Sequence, residues 1–242
     1  MPATYVIGDI HGALKALDQL IGRLPLRDGD TLIFLGDYVD GWPESAGVIN
    51  YLMSLESKLA CVFIKGNHDI SCESWLNEKT IENPWANNAG KATVASYHKL
   101  SADERMVHAR FFSGMSPYFI DDKNRLFIHA GFSNASGSGL IDQVIYKDRS
   151  LWELALTMDK RVKKDPGLFP KKLLQFHEIY IGHTPTLIYN KDLPMIACNV
   201  HNIDTGAAFK GKISAMNVDT KEVWQSDAVY LLYPGENGRN PS

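Results

Sequence analysis

Three short apolar runs in the N-terminal part of the chain end alike. Thr4–Ile7 leads into Gly8-Asp9, Thr31–Leu35 into Gly36-Asp37, and Leu59–Ile64, through Lys65, into Gly66-Asn67-His68-Asp69. A short apolar run closed by glycine reads as a buried strand. Between the first two runs, Leu14, Leu17, Leu20 and Leu24 recur at helical spacing until Pro25, which cannot continue a helix. Between the second and third, Val48, Ile49, Leu52, Met53 and Leu55 predict another helix. Strands that are apolar throughout bury both faces, as in the parallel sheet of an α/β protein. The carboxyl ends of parallel strands share one edge, and open α/β sheets place their sites there. Three polar clusters from separate stretches are thereby predicted to meet.

The 242 residues, 45% of them hydrophobic, suffice for one large core, and a single domain is expected over residues 1–233. A net charge of −3 gives no basic surplus for a nucleic-acid backbone or an anionic membrane, so neither is expected as a partner. The basic run at residues 160–164 is short and reads as a solvated helix end. Three scattered cysteines without a CxxC pair argue against a zinc ribbon or disulfide framework and are taken as packing groups of a reduced, cytoplasmic protein. No charged segment precedes the first strand as in a signal peptide, and no apolar run approaches the ~18 residues of a membrane span. Further on, helices are expected around Trp75-Leu76, over Ala92–Leu100, Asp103–Phe112, Leu151–Met158 and Lys171–His177. A hairpin is expected from Ser116–Asp121 and Arg125–His129, and strands over Ile179–Ile181, Met195–Asn199, Lys212–Val218 and Val223–Gln225. Ser133–Gly139 reads as a mobile small-residue loop, and the Gly-, Pro- and Asn-rich tail, residues 234–242, as disordered.

Five clusters need one explanation: Gly8-Asp9-Ile10-His11-Gly12, Gly36-Asp37, Gly66-Asn67-His68-Asp69, His129-Ala130-Gly131 and Gly182-His183-Thr184. Carboxylate, imidazole and amide oxygen are ligand types for Mn, Fe or Zn. Two ions about 3.5–4 Å apart can clamp the attacking and leaving oxygens of an in-line phosphoryl displacement. Together the clusters resemble the signature of the phosphoprotein phosphatase (PPP) branch of the calcineurin-like metallophosphoesterases. That pattern runs GDxHG, GDxVDRG, GNHE or GNHD, HGG or HAG, then GHT. Here GDIHG, GDYVDG, GNHD, HAG and GHT follow in that order and reach most of the chain, residues 5–207.

The resemblance implies an α/β fold of the four-layer αββα sandwich type. It implies two divalent metal ions, Mn²⁺ first, with Fe or Zn as alternatives. Asp9, His11 and Asp37 would hold one ion; Asp37, Asn67, His129 and His183 the other, with Asp37 bridging and Asn67 also facing the substrate. The implied nucleophile is a metal-bound hydroxide, with His68 as general acid and Asp40 orienting it. Asp40 and Asp69 also have a plainer reading, as caps of the turns that follow them. Trp75 and Trp85 read as core residues. His98, His108, His177 and His201, outside the glycine-flanked motifs, receive no role.

One element of the pattern is missing. The second motif ordinarily ends Asp-Arg-Gly, and here it reads Asp40-Gly41-Trp42. Another cation is therefore expected to grip the phosphate, with Arg149 the first candidate and Lys147 and Lys65 behind it. Trp42 is read as loop packing, with a wall of the pocket as its other reading. The resemblance favours a bacterial-type serine/threonine phosphoprotein phosphatase acting on a phosphoprotein or small phosphate ester. The alternative is a symmetrical dinucleoside polyphosphate (diadenosine tetraphosphate) hydrolase. A phosphatase of nucleotide or RNA ends, and an inert binding module, are weaker readings.

Overall fold

Alternate residues along the central strands face different cores. In the computed structural model, which describes residues 2–78, 84–133, 141–158 and 169–240, Tyr5 and Ile7 pack into one cluster while Val6, between them, packs into another. Leu32 and Phe34 divide from Ile33 in the same way. Leu126 and Ile128 enter a third cluster, with Phe127 facing the shared one. Every face of each strand is thus buried, which explains why these strands read as continuous apolar runs.

The elements run β1 (Thr4–Ile7), α1 (Leu14–Arg23), β2 (Thr31–Phe34), α2 (Ser45–Glu56), β3 (Ala60–Phe63), α3 (Asn67–Glu78), α4 (Lys91–Tyr97), α5 (Ala102–Gly114), β4 (Tyr118–Ile120) and β5 (Arg125–Ile128). There follow β6 (Gly131–Ser133), β7 (Gln143–Ile145), α6 (Ser150–Thr157), α7 (Lys171–Leu174), β8 (Glu178–Ile181), β9 (Met195–Ala197), β10 (Val200–Asn202), β11 (Ser214–Asn217), β12 (Val223–Gln225) and α8 (Val229–Leu232). One five-stranded sheet has the order β12-β11-β1-β2-β3 and a second the order β4-β5-β8-β10-β9. Val6 and Ile33 of the first meet Phe127 and Tyr180 of the second in the shared core. Helices α1 and α2 cover the outer face of the first sheet, and α6 and α7 that of the second. The result is the expected αββα layering.

The sheets are mixed rather than purely parallel. β1-β2-β3 and β5-β8-β10 pair in parallel, and antiparallel strands flank both groups. The strand expected over Met195–Asn199 is instead a hairpin: Ala197 pairs with Val200 across Cys198-Asn199, and Cys198 is left-handed at φ 53°. No glycine marks that turn. The Asn199 amide stabilises it by donating to Leu173 O and Phe176 O at 2.9 and 2.8 Å. Past Ser133, the expected small-residue loop lies outside the described residues, as does the basic run at 160–164. No helix among the described residues is long and apolar enough to cross a membrane.

The tail differs from expectation. Residues 234–240 fold back onto the body: Arg239 N donates to Ala208 O at 2.9 Å and Glu236 N to Tyr233 O at 3.1 Å. Gly238, left-handed at φ 56°, lies so close to Trp42 that a Cβ there would come within 2.7 Å of the indole. Glycine here serves close packing, not freedom. Trp42 is fully buried, donates Nε1 to Ala207 O at 2.7 Å and stacks on Tyr233 at 5.3 Å, so it is not a pocket wall. Trp42→Ala is therefore expected to lower unfolding free energy by about 3–5 kcal/mol. Urea denaturation reads this as a lower midpoint at unchanged slope; a midpoint equal to wild type would show that the indole does not anchor the tail.

Candidate metal centre

The loops after β1, β2, β3, β5 and β8 are tied to one another before any side chain is considered. Ile10 N and His11 N donate to Asp37 O at 3.1 and 2.9 Å, and Gly12 N to Tyr38 O at 2.8 Å. The Asp69 carboxylate accepts from Gly66 N, Asp37 N and Tyr38 N at 2.8, 2.7 and 2.9 Å. Asp69 thus does more than cap a helix: it locks the second loop to the third. His68 N donates to Asp37 Oδ1 at 2.9 Å, and His183 N to both Asp9 oxygens at 3.2 Å. At Gly66 a Cβ would lie 2.2 Å from Asp37 Oδ1, so only glycine admits that carboxylate. His11, Asp37, Asp40 and His183 are all left-handed, at φ 53°, 54°, 71° and 65°. That conformation costs an L-residue roughly 1–2 kcal/mol, and its recurrence at four positions aims their side chains inward.

The hydrogen-bond network fixes which ring nitrogens are free. His11 Nδ1 lies 2.8 Å from Asp40 O and 3.1 Å from Val39 O, so it carries the proton and leaves Nε2 bare. That Nε2 faces Asp9 Oδ2 and Asp37 Oδ2, both at 3.7 Å. His129 Nδ1 donates to Leu35 O at 2.8 Å, and its Nε2 faces Asp37 Oδ2 at 3.3 Å and Asn67 Oδ1 at 3.2 Å. The Asn67 oxygen also lies 3.0 Å from His183 Nδ1. Without a cation the Asn67 amide would gain by turning over, because its NH₂ could then donate to both ring nitrogens. The oxygen-inward arrangement suits a bound cation, whose charge would satisfy the converging lone pairs. Two groups of ligand atoms, His11/Asp37/His68 and Asp37/His129/His183, each gather within 4.8 Å, and Asp37 belongs to both. Asp9 joins the first through its contact with His11. The donor set fits two divalent ions sharing Asp37.

The charges point the same way. Burial pushes the Asp9 carboxyl up to about 7. Burial likewise disfavours a charge on Asp37, but His129 and His68 outweigh it and hold Asp37 well below the carboxylate range. Burial also opposes a charge on His129, yet Asp37 and Asp9 drive that imidazole up to about 10. Burial lowers His11 to about 4 and, with His129 beside it, His183 to about 3. The buried anionic cluster demands positive charge, and a metal ion is the other way to supply it.

Asp40 is fully buried and accepts from His68 Nδ1 at 2.6 Å, Trp85 Nε1 at 2.5 Å and Thr93 Oγ1 at 2.6 Å. It orients His68 rather than capping a turn. Trp85 and Thr93 are members of the site that the sequence does not reveal. Asp204 is a third: it is buried beside Asp9, and burial raises its carboxyl to about 8. Arg149 sits at the start of α6 and, with Lys147, lines the cavity of about 650 Å³ that opens over His68 and His183. Lys65 is turned aside into a 2.7 Å ion pair with Glu73. Arg239, from the tail, lines the same cavity.

This geometry has counterparts among known proteins. A family model described as calcineurin-like phosphoesterase matches residues 3–204. The chain is 28% identical over 231 residues to the asymmetrical bis(5'-nucleosyl)-tetraphosphatase PrpE of Geobacillus thermodenitrificans, covering 87% of this chain and 88% of that relative. A solved structure provisionally described as a diadenosine tetraphosphatase superposes with a TM-score of 0.61 at 17% identity, over 94% of this chain and 96% of the other. A serine/threonine phosphatase from Saccharomyces cerevisiae superposes with a TM-score of 0.59 at 15% identity, over 94% and 80% of the two chains. These two likenesses establish the fold.

Metal ions and protons compete for this cluster, because a ligating imidazole nitrogen must be bare. With His129 pushed up to about 10, its proton is held at neutral pH and must leave when a cation binds. Apparent Mn²⁺ affinity is expected to rise between about pH 6 and pH 9, with proton release visible in a weakly buffered titration. Asp37→Asn should strip metal from both groups; two ions per chain in that variant would show that Asp37 is not the shared ligand.

Proposed function

Since the chain belongs to the calcineurin-like phosphoesterase family and is a phosphoric ester hydrolase, we propose that its substrate is a dinucleoside polyphosphate, cleaved asymmetrically with two divalent ions, Mn²⁺ foremost. The carrying observation is the distribution of charge in the cavity. Arg149 acts on His183 at one side, and Arg239 acts on His68 and His11 at the other. A run of phosphates crossing the metal groups would meet a cation at both ends. Leu187, Ile188 and Phe209 add apolar wall suited to a nucleoside. The name of the Geobacillus relative supports asymmetrical cleavage. A serine/threonine phosphoprotein phosphatase would use the same ligands and the same acid, but gains nothing from cations on both sides.

Asp9, His11, Asp37, Asn67, His129 and His183 would hold the two ions, which when bound neutralise phosphoryl oxygens and activate the attacking water. His68 presents Nε2 to the leaving oxygen. Burial disfavours its charged form, but Asp37 and Asp40 overcome this and raise the imidazole above its ordinary value. That direction favours the acid form, and Asp40, accepting from Nδ1, keeps Nε2 turned outward. Thr93 and Trp85 hold both Asp40 oxygens, so the Asp40–His68 pair moves as a unit.

The two substrate classes demand different amounts of acid catalysis. A serine alkoxide is a poor leaving group and needs the proton; a nucleotide phosphate leaves readily without it. His68→Asn should therefore lower turnover of a phosphoserine peptide by ~10²–10⁴-fold and that of diadenosine tetraphosphate by much less. With Mn²⁺-loaded wild type and a chelated control, diadenosine tetraphosphate should yield ATP and AMP in equal amounts, faster than phosphopeptides release phosphate. Two ADP would establish symmetrical cleavage, and faster phosphopeptide hydrolysis would overturn the dinucleotide reading.

A further inference from the structure

The missing arginine and the folded tail meet at Gly41. Gly41 adopts φ 121°, which L side chains rarely occupy, and a Cβ built there would lie 3.3 Å from His11 O and 3.4 Å from Arg239 Cγ. The space over Gly41 is filled by the aliphatic stem of Arg239. From that stem the guanidinium reaches into the cavity, with Nη1 2.9 Å from His68 Nε2 and Cζ 5.8 Å from the Phe209 ring. Its charge acts on His68 and His11, both members of the first ligand group. The arm is held from behind by the bond to Ala208 O and by Gly238 against Trp42.

We propose that Arg239 is the phosphate-gripping residue of this site, delivered by the C-terminal segment over a glycine that leaves it room. A guanidinium presents a planar fork of donors suited to two oxygens of one phosphoryl group. Without substrate, Nη1 donates to the bare Nε2 of His68. An arriving phosphoryl oxygen is a better acceptor than an imidazole nitrogen, so the fork turns from Nε2 to the phosphoryl group. The assignment rests on reading the cavity as a phosphoryl-transfer site and not on which ester is cleaved.

The test uses the full-length, Mn²⁺-loaded chain and inorganic phosphate as the probe, with binding measured by calorimetry and metal content measured alongside. Arg239→Gln keeps part of the stem over Gly41 and removes the charge; Arg239→Ala removes both. Each is expected to retain both ions and to bind phosphate roughly 10–100-fold more weakly, the loss of a charge-assisted hydrogen bond. Free guanidinium at millimolar concentration should restore part of the binding to Arg239→Ala and leave Arg239→Gln, whose side chain still fills part of the space, little changed. Wild-type binding that Arg239→Gln leaves unaltered overturns the assignment while leaving the phosphoryl-site reading intact. Wild type that takes up metal and binds no phosphate overturns both.

Discussion

The Asp37 carboxylate organises this molecule. One oxygen accepts from His68 N, and the other faces His11 and His129, which approach from different sheets. Its backbone is engaged as fully as its side chain: the carbonyl receives Ile10 N and His11 N, and the amide is given to Asp69. Burying such a charge is costly unless it is surrounded by donors and cations. The glycines, left-handed residues and tautomer-setting carbonyls around it can all be understood as meeting that cost. Removing any one of them leaves a buried carboxylate short of a partner.

Around that point the fold is a device for bringing strand ends together. Val6, Ile33, Phe127 and Tyr180 glue the two sheets face to face. The edge where β1, β2 and β3 finish is thereby opposed to the edge where β5 and β8 finish. The candidate donors are divided between the sheets: Asp9, His11, Asp37 and Asn67 follow strands of the first, His129 and His183 strands of the second. Packing in the inter-sheet core holds the two edges against each other.

Most of this is legible in the chain because each motif compresses a strand end, a glycine and a ligand into a few adjacent residues. The apolar runs and the glycine-flanked candidate ligands can be read directly. What escapes depends on distant contacts. Trp85 and Thr93 grip Asp40 from more than forty positions away and carry no periodic signal. The Cys198-Asn199 turn lacks the glycine that usually announces a hairpin. The tail misleads because its composition suits disorder as well as close packing, and only the Trp42 surface shows that Gly238 serves the second. Asp69 resembles a local cap because its carboxylate does bond Gly66 N, and its two further bonds to the β2 loop are invisible from sequence.

The division of ligands between the sheets has a mechanical consequence. An ion held by Asn67 and Asp37 on one side and by His129 and His183 on the other would be a cross-link between the two sheets. Because binding and unfolding are linked, occupancy adds stability that grows with the logarithm of free metal concentration. The gain falls on separation of the layers, not on melting of individual helices. Metal supply would then set how long the folded chain survives as well as how fast it turns over, and a chain starved of metal would fail first along the seam between its two sheets.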